Sequence, residues 1–555
     1  MYHFGDYFFY LVPIFIAHMQ ATRAIKCRKL ALTATLVLFI TGFSYSQTVQ
    51  LPYQYQFYQK FNADVYSVKS NIHTALKPLF IDSTLTPRYD SIMNSAIYPN
   101  LKGWLFRKVF NEHVIDVRKE DYTFYADFMV DLGIGRDIKG ERTTWLNTRG
   151  FQAGGTIGKK FSFYTSGYEN QGRFADYYGD YVDSIGIVPG QAYNRESSGL
   201  TKDWSYVTAV ITYAPIKQLS LTLGQDKHFI GDGYRSLLLS DYASPAPFFR
   251  ATANLGPVQY TAIWAQMQDH KATKTDNHGK FFTNNRRKWT AIHYIDWNIN
   301  SRASLGFFNA YVAPEADDTG SGRSFDANFI NPLFFFSSLG PSKQPGNSLL
   351  GFTGKYKFID KHTVYGQLLL DKVQGLEGGS RTAKGYQVGV RGADIFGVRN
   401  LNYLVEYNTV DPYAYAGAER ISSYSNYSEP LAHPYGANFR EMLGIINYSI
   451  GKFDFQGKVI YAKYGIDDAA NTNYGKNVSL PYNDATASGS SVGQGLNTSL
   501  KFAEGTVSYI VNPRYNLRVE AGAIVRQQTN NAGTSNTTLL TFGVRTSFRN
   551  LYNDF

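Results

Sequence analysis

Leu517-Arg518-Val519-Glu520-Ala521-Gly522-Ala523-Ile524-Val525-Arg526 decides the fold, because read two residues at a time it has an apolar face and a charged one. Side chains on a strand alternate between its two sides. Leu517, Val519, Ala521, Ala523 and Val525 therefore share one face, and Arg518, Glu520, Gly522 and Arg526 the other. Charges of both signs on one face and only apolar groups on the opposite one suit a wall between lipid and a wet lumen. Phe453, Phe455, Val459 and Tyr461 against Asp454, Gln456 and Lys458 repeat the pattern. So do Tyr386, Val388 and Val390 against Gln387 and Arg391, and Tyr403, Val405 and Tyr407 against Asn402 and Glu406.

A soluble sandwich would alternate in the same way, so the connections must decide. Tight turns are expected at Gly158-Lys159-Lys160, Pro215 to Gln218, Gly256-Pro257, Asn298 to Ser301, Asp360 to His362, Phe396 to Arg399 and Gly451-Lys452. Long polar segments lie between them, roughly 171–204, 227–247, 268–287, 313–347, 409–438 and 464–495. Short periplasmic turns alternating with long outer loops mark an outer-membrane barrel. The fold expected is all-β: a transmembrane antiparallel β-barrel of about eighteen strands filling residues 122–555, an even number as such barrels require. The weakest strand is 496–511, which Glu504-Gly505 could divide. At the C-terminus Leu540, Phe542, Val544 and Phe548 alternate with polar residues up to Phe555. That reads as a closing strand and an insertion signal, since an open edge in lipid leaves backbone groups unpaired.

Composition agrees. Tyr (43), Phe (39) and Gly (50) are abundant, yet mean hydropathy is -0.29. After residue 46 no apolar run approaches the ~20 residues of a membrane helix. Before it, Arg23, Lys26, Arg28 and Lys29 precede the apolar stretch Leu30 to Phe43 and the small-residue site Ser44-Tyr45-Ser46. Residues 1–46 thus read as a cleaved signal peptide directing export to the cell outer membrane. Met19 is an alternative start that would make residues 1–18 an upstream extension; the other reading makes Phe8 to Ala17 a first apolar hairpin segment. Cys27, the single cysteine, would leave with the signal, so the exported chain has no disulfide. Of the net charge of +11, about +8 would remain, which suits lipopolysaccharide or acidic glycan better than nucleic acid in that compartment. Residues 47–121 read as a periplasmic segment packed under or into the barrel mouth, with a small plug as the alternative; Pro52, Pro78, Pro87 and Pro99 punctuate it, and an amphipathic helix over Leu101 to His113 turns Trp104 and Leu105 to its apolar side.

Motifs for chemistry are few. Gly489-Ser490-Ser491-Val492-Gly493 fits GxSxG but lies in a Gly/Ser-rich loop instead of a strand-to-helix elbow. The histidines are scattered, and the spacing of Asp226 and Asp232 does not suit a calcium loop. No catalytic residue, metal or cofactor is assigned. The densest feature is Gly224 to Phe249, GQDKHFIGDGYRSLLLSDYASPAPFF, in which Asp226, Lys227, Asp232, Arg235 and Asp241 crowd around Leu237-Leu238-Leu239. Such a loop should fold inward at the barrel mouth, either as an anchor, the favoured reading, or as a ligand site. Tyr177 and Tyr178, and Tyr413 and Tyr415, set aromatic rings beside polar groups in other outer loops, where sugar faces could stack.

The same 224–249 string resembles the signature of the Wzi-like capsule-assembly barrels, in the branch of the gliding-motility protein RemB. His73 to Phe80 (HTALKPLF), Asn328 to Phe358, Tyr365 to Lys372 (YGQLLLDK) and Glu429 to Glu441 extend the resemblance over most of the chain. It implies an eighteen-stranded barrel with a helical periplasmic segment, no enzymatic activity, and a role in surface polysaccharide attachment or gliding. It carries over no binding residue. Expected partners are outer-membrane lipid and lipopolysaccharide, surface polysaccharide, and gliding or secretion machinery. The alternative function is a porin or selective channel. Loops 227–247 and 313–347, with apolar Leu237 to Leu239 and Leu333 to Phe336, are expected to plug the lumen.

Overall fold

The structure is a computed structural model that describes residues 49–50, 52–81, 83–196, 199–272, 285–316, 346–374, 380–468, 472–482 and 490–555. The expected signal segment, the Leu333 to Phe336 run and most of the 313–347 loop lie outside those residues. Strands β1 (Tyr122–Asp137), β2 (Arg142–Ile157), β3 (Phe161–Arg173), β4 (Thr201–Ile216), β5 (Leu219–Asp226) and β6 (Ala246–Leu255) come first. Next are β7 (Val258–Asp269), β8 (Arg286–Asn298), β9 (Ala303–Pro314), β10 (Asn347–Ile359), β11 (His362–Gln374) and β12 (Ser380–Gly392). Last come β13 (Leu401–Val410), β14 (Phe439–Ile450), β15 (Phe453–Ile466), β16 (Leu496–Asn512), β17 (Leu517–Asn530) and β18 (Gly533–Arg545). Each pairs antiparallel with its sequence neighbours, and β18 returns to β1, so the sheet is a closed barrel. A short strand, Ile115–Arg118, adds to the lower edge of β1.

Alternation does what lipid and lumen demand. Phe128, Ile134, Ile211, Leu223, Val388, Val459 and Phe542 stand out from the wall, while Gln387, Arg391, Glu406, Asn408, Lys458 and Arg526 are buried inside it. Gly158, Gly256 and Gly451 take positive φ at the tight turns, where hairpin connections of two or three residues need that conformation. The long connections gather at the opposite end. β16 runs unbroken through Glu504-Gly505.

Four expectations need correction. The helix α2 covers Trp104–Phe110 only, after α1 (Thr86–Met93), which Pro87 starts instead of breaking. Gly103, at φ +99°, prevents an earlier start to α2. Trp104, Leu105 and Phe106 are exposed, not packed under the barrel. What holds α2 is its carbonyl end, where the Lys108 oxygen accepts from Asn512 and Tyr515 beside the β16–β17 turn. Third, Leu517 leans inward against the cluster of Met129, Tyr168, Tyr206 and Tyr515, because a register shift between Ile510 and Asn512 turns the start of β17.

Fourth, the final strand stops at Arg545, well short of the terminus. Leu540 and Phe542 face outward as expected, but Phe548 is buried against Phe57 and Phe555 is buried too. Thr546 and Ser547 still bond to β1, and residues 548–555 turn off the wall into the lumen.

An arginine in place of outward-facing Ala523, midway along β17, should cost about 2–4 kcal/mol. Urea titration of the barrel folded into lipid vesicles measures it, and a loss no greater than that of a lumen-side change would contradict the assigned faces.

Candidate functional site in the barrel lumen

Three segments, with a further inward loop over residues 411–438, fill the lumen. The first is residues 52–81, which enter from the short-turn end: the backbone amide of Val68 donates to Asp360 and the side-chain Nδ2 of Asn298 donates to the Asn71 carbonyl. The second is the loop 227–245, which folds inward from the long-loop end. The two meet as a small antiparallel ladder, Leu76–Lys77 against Phe229–Ile230. Leu237, Leu238 and Leu239 are buried there, with Tyr415 and Tyr424 of another inward loop donating to the Leu237 and Leu238 carbonyls. Burying each such leucine is worth about 1.5–3 kcal/mol. That holds the loop inside.

The glycines of Gly231-Asp232-Gly233 permit a close approach. A side chain at Gly233 would collide with the Glu406 carboxylate, which accepts from the amides of Tyr234 and Arg235. Asp232 accepts from Tyr66, at 2.9 Å, and from Thr74. Burial pushes its carboxyl up, but Lys355 and Lys77 outweigh that and hold it down to about 2.

The third segment is the tail. Arg549 pairs with Asp131 at 3.0 Å and lies over the Tyr168 ring. Asn550 and Tyr552 both donate to Asp241 at 2.6 Å. Asp554 sits between Lys458, at 2.8 Å, and Arg235, at 3.3 Å, and Arg235 also reaches Glu441. Phe555 ends among Tyr177, Tyr178 and Tyr181 of helix α3 (Asp176–Ile185), which belongs to a long loop. The tail thus spans the lumen from one end toward the other.

These contacts place every sequence-predicted residue. Asp226, Lys227 and Asp241 converge with the tail around a hollow of ≈ 30 Å³, room for one or two waters and no sugar. Lys227 donates to the carbonyls of Gly190 and Asp241. Asp232 and Arg235 belong to two separate charge knots. Tyr413 and Tyr415 are buried and donate to the Asn473 and Leu237 carbonyls. Tyr177 and Tyr178 alone border larger space. Sequence reasoning missed the tail as a partner, along with Trp204, Gln191, Arg545 and Arg549. Only the polar run after Arg545 signalled it. Among the described residues no cluster of His, Cys, Asp or Glu converges as a metal site.

No family model matches the chain, and no curated protein matches it. Among solved structures the chain is similar to Wzi, described as an outer-membrane carbohydrate-binding β-barrel involved in group 1 capsule assembly in Escherichia coli. Identity is 16%, over 76% of this chain and 85% of that one, with a TM-score of 0.48. It is also similar to OprD of Pseudomonas aeruginosa, at 8% identity over 77% and 94% with a TM-score of 0.41. OccK5 of the same organism gives 10% over 76% and 98%, also at 0.41.

Asp554→Ala should destabilise the folded barrel by about 3–5 kcal/mol, because two buried cations lose their shared partner. Thermal loss of the compact band on unheated gels reads it; an unchanged transition would show that the tail is not docked. A pH effect follows from Lys77. Burial lowers its ammonium to about 7, with Asp232 opposing and Arg391 and Lys355 adding. The docked state therefore prefers neutral Lys77, so the segment should tighten as pH rises from about 7 toward 10.5, by about 1.4 kcal/mol per unit. Below 7 the full cost of burying the charge remains. Hydrogen exchange of residues 72–81 should slow over that window, and Lys77→Met should remove the trend.

Proposed function

We propose that this is a non-conducting, non-catalytic barrel of the outer membrane that holds polysaccharide at the cell surface. The observation that carries this reading is the filled lumen: loop, tail and N-terminal segment occupy it together and neutralise one another's charges. A channel needs a continuous polar path; here Arg235, Lys458 and Asp554, all nearly inaccessible, lie across it. Extended loops on one end give a scaffold a surface on which to hold polymer, with the short turns in the periplasm. The resemblance of the 224–249 string to the RemB branch extends the reading to gliding, since a moving cell also needs surface polymer held at its envelope.

The alternative is a selective channel that opens by releasing the tail. Planar-bilayer recording separates them. The full-length protein should show no sustained open level, and deletion of Asn550 to Phe555, which leaves the Thr546–Arg549 contacts in place, should produce one. A stable large conductance from the full-length protein would favour the channel. In cells, loss of the protein should shift surface polysaccharide from the cell to the medium without lowering the total made.

A further inference from the structure

A hollow of ≈ 180 Å³ lies between the tail and the inner wall formed by β16, β17, β18, β1 and β2. That is about ten times the room one water needs. Missing side chains shape it: Gly133, Gly522 and Gly543 line it, and Gly133 faces Gly543 across the β1–β18 seam. A Cβ built on Gly133 would meet nothing nearer than 3.8 Å. At one end the rings of Phe174, Tyr178 and Trp204 stand together, with centroids 4.2 and 5.8 Å from Phe174.

The polar lining is one-sided. Trp204, Gln191, Arg173, Arg545 and Arg549 line the hollow, and each carries a buried nitrogen without a hydrogen-bond partner: Trp204 Nε1, Gln191 Nε2 and the Nε of the three arginines. Trp204, Gln191 and Arg549 are themselves more than nine-tenths buried. The carboxylates of the lining are already engaged: Asp131 by Arg549, Glu504 by Lys458, and Glu520 by Arg518 and Arg545. Five donors thus await acceptors, three of them on guanidinium groups. An unmet buried donor costs about 1–3 kcal/mol, which an oxygen-rich guest would recover. Charged donors favour a carboxylate over a hydroxyl.

We propose that this hollow is a binding subsite for one residue of an acidic polysaccharide. The carboxylate lies toward Arg545 and Arg549, hydroxyl oxygens accept from Trp204 and Gln191, and the sugar face rests on the aromatic end. The proposal rests on the polysaccharide-holding reading and adds to it a place and a charge.

The test uses the full-length protein in detergent, with glucuronate and glucose as probes in saturation-transfer magnetic resonance and calorimetric titration. Glucuronate should bind at least about tenfold more tightly than glucose. Gly133→Leu, which fills the hollow, should abolish binding, while Gly505→Leu, on the outward face of β16 where an added side chain meets open space, should not. Trp204→Phe should weaken glucuronate about three- to tenfold, the loss of one hydrogen bond. The compact band on unheated gels shows that each variant is folded. Binding that survives Gly133→Leu overturns the location, and equal affinity for the two sugars overturns the acidic assignment. No transfer to either means that water alone fills the hollow and overturns the subsite. Bilayer recording and polysaccharide retention judge the underlying reading separately.

Discussion

Asp554 between Arg235 and Lys458 is the interaction on which the filled lumen depends. A folded-in loop contributes one cation, the wall the other, and the chain's penultimate residue the anion. Each charge would be expensive to bury alone, and the three together with Glu441 and Glu504 satisfy one another. Because the partners come from segments far apart in sequence, no one of them can dock stably without the others. The lumen therefore fills as a unit.

The wall was legible in the sequence because lipid enforces a strict rule at each position. Strand after strand, an apolar residue such as Val388 or Val459 faces out, and Gln387 or Lys458 faces in. The long connections between Arg173 and Thr201, Asp226 and Ala246, or Val410 and Phe439 also fall where polarity places them. The rule fails where packing replaces lipid. Leu517 turns inward at a bulge, and α2 leaves Trp104 exposed since polar groups at its carbonyl end set its pose.

The interior was half legible. The crowding of Asp232, Arg235 and Asp241 announced that the loop would fold inward, and it does. What those residues would touch could not be read, since Tyr66, Glu441 and Tyr552 lie hundreds of positions away or on segments without periodicity. Phe555 looked like the end of a strand because an aromatic terminus is equally at home against lipid and against Tyr177. The hollow beside the tail was hidden for another reason: Gly133, Gly522 and Gly543 make it by what they lack.

Closure of the barrel and filling of the lumen prove to be one problem. β18 pairs with β1 only from Leu132 to Asp137. Below that, Asp131 accepts from the amides of Thr546 and Ser547, and Thr546 Oγ1 lies 2.8 Å from the Val130 amide. Lower still, Asp127 takes the Val114 amide, and Ile115–Arg118 completes the ladder. Lipid tolerates no unpaired backbone at such a seam. The first residues of the tail thus seal the wall, and the same turn directs the rest of it inward, where Arg549 binds the Asp131 that holds the turn. One carboxylate, at Asp131, therefore couples the seam to the tail: a wall that closes has already begun to fill its own interior.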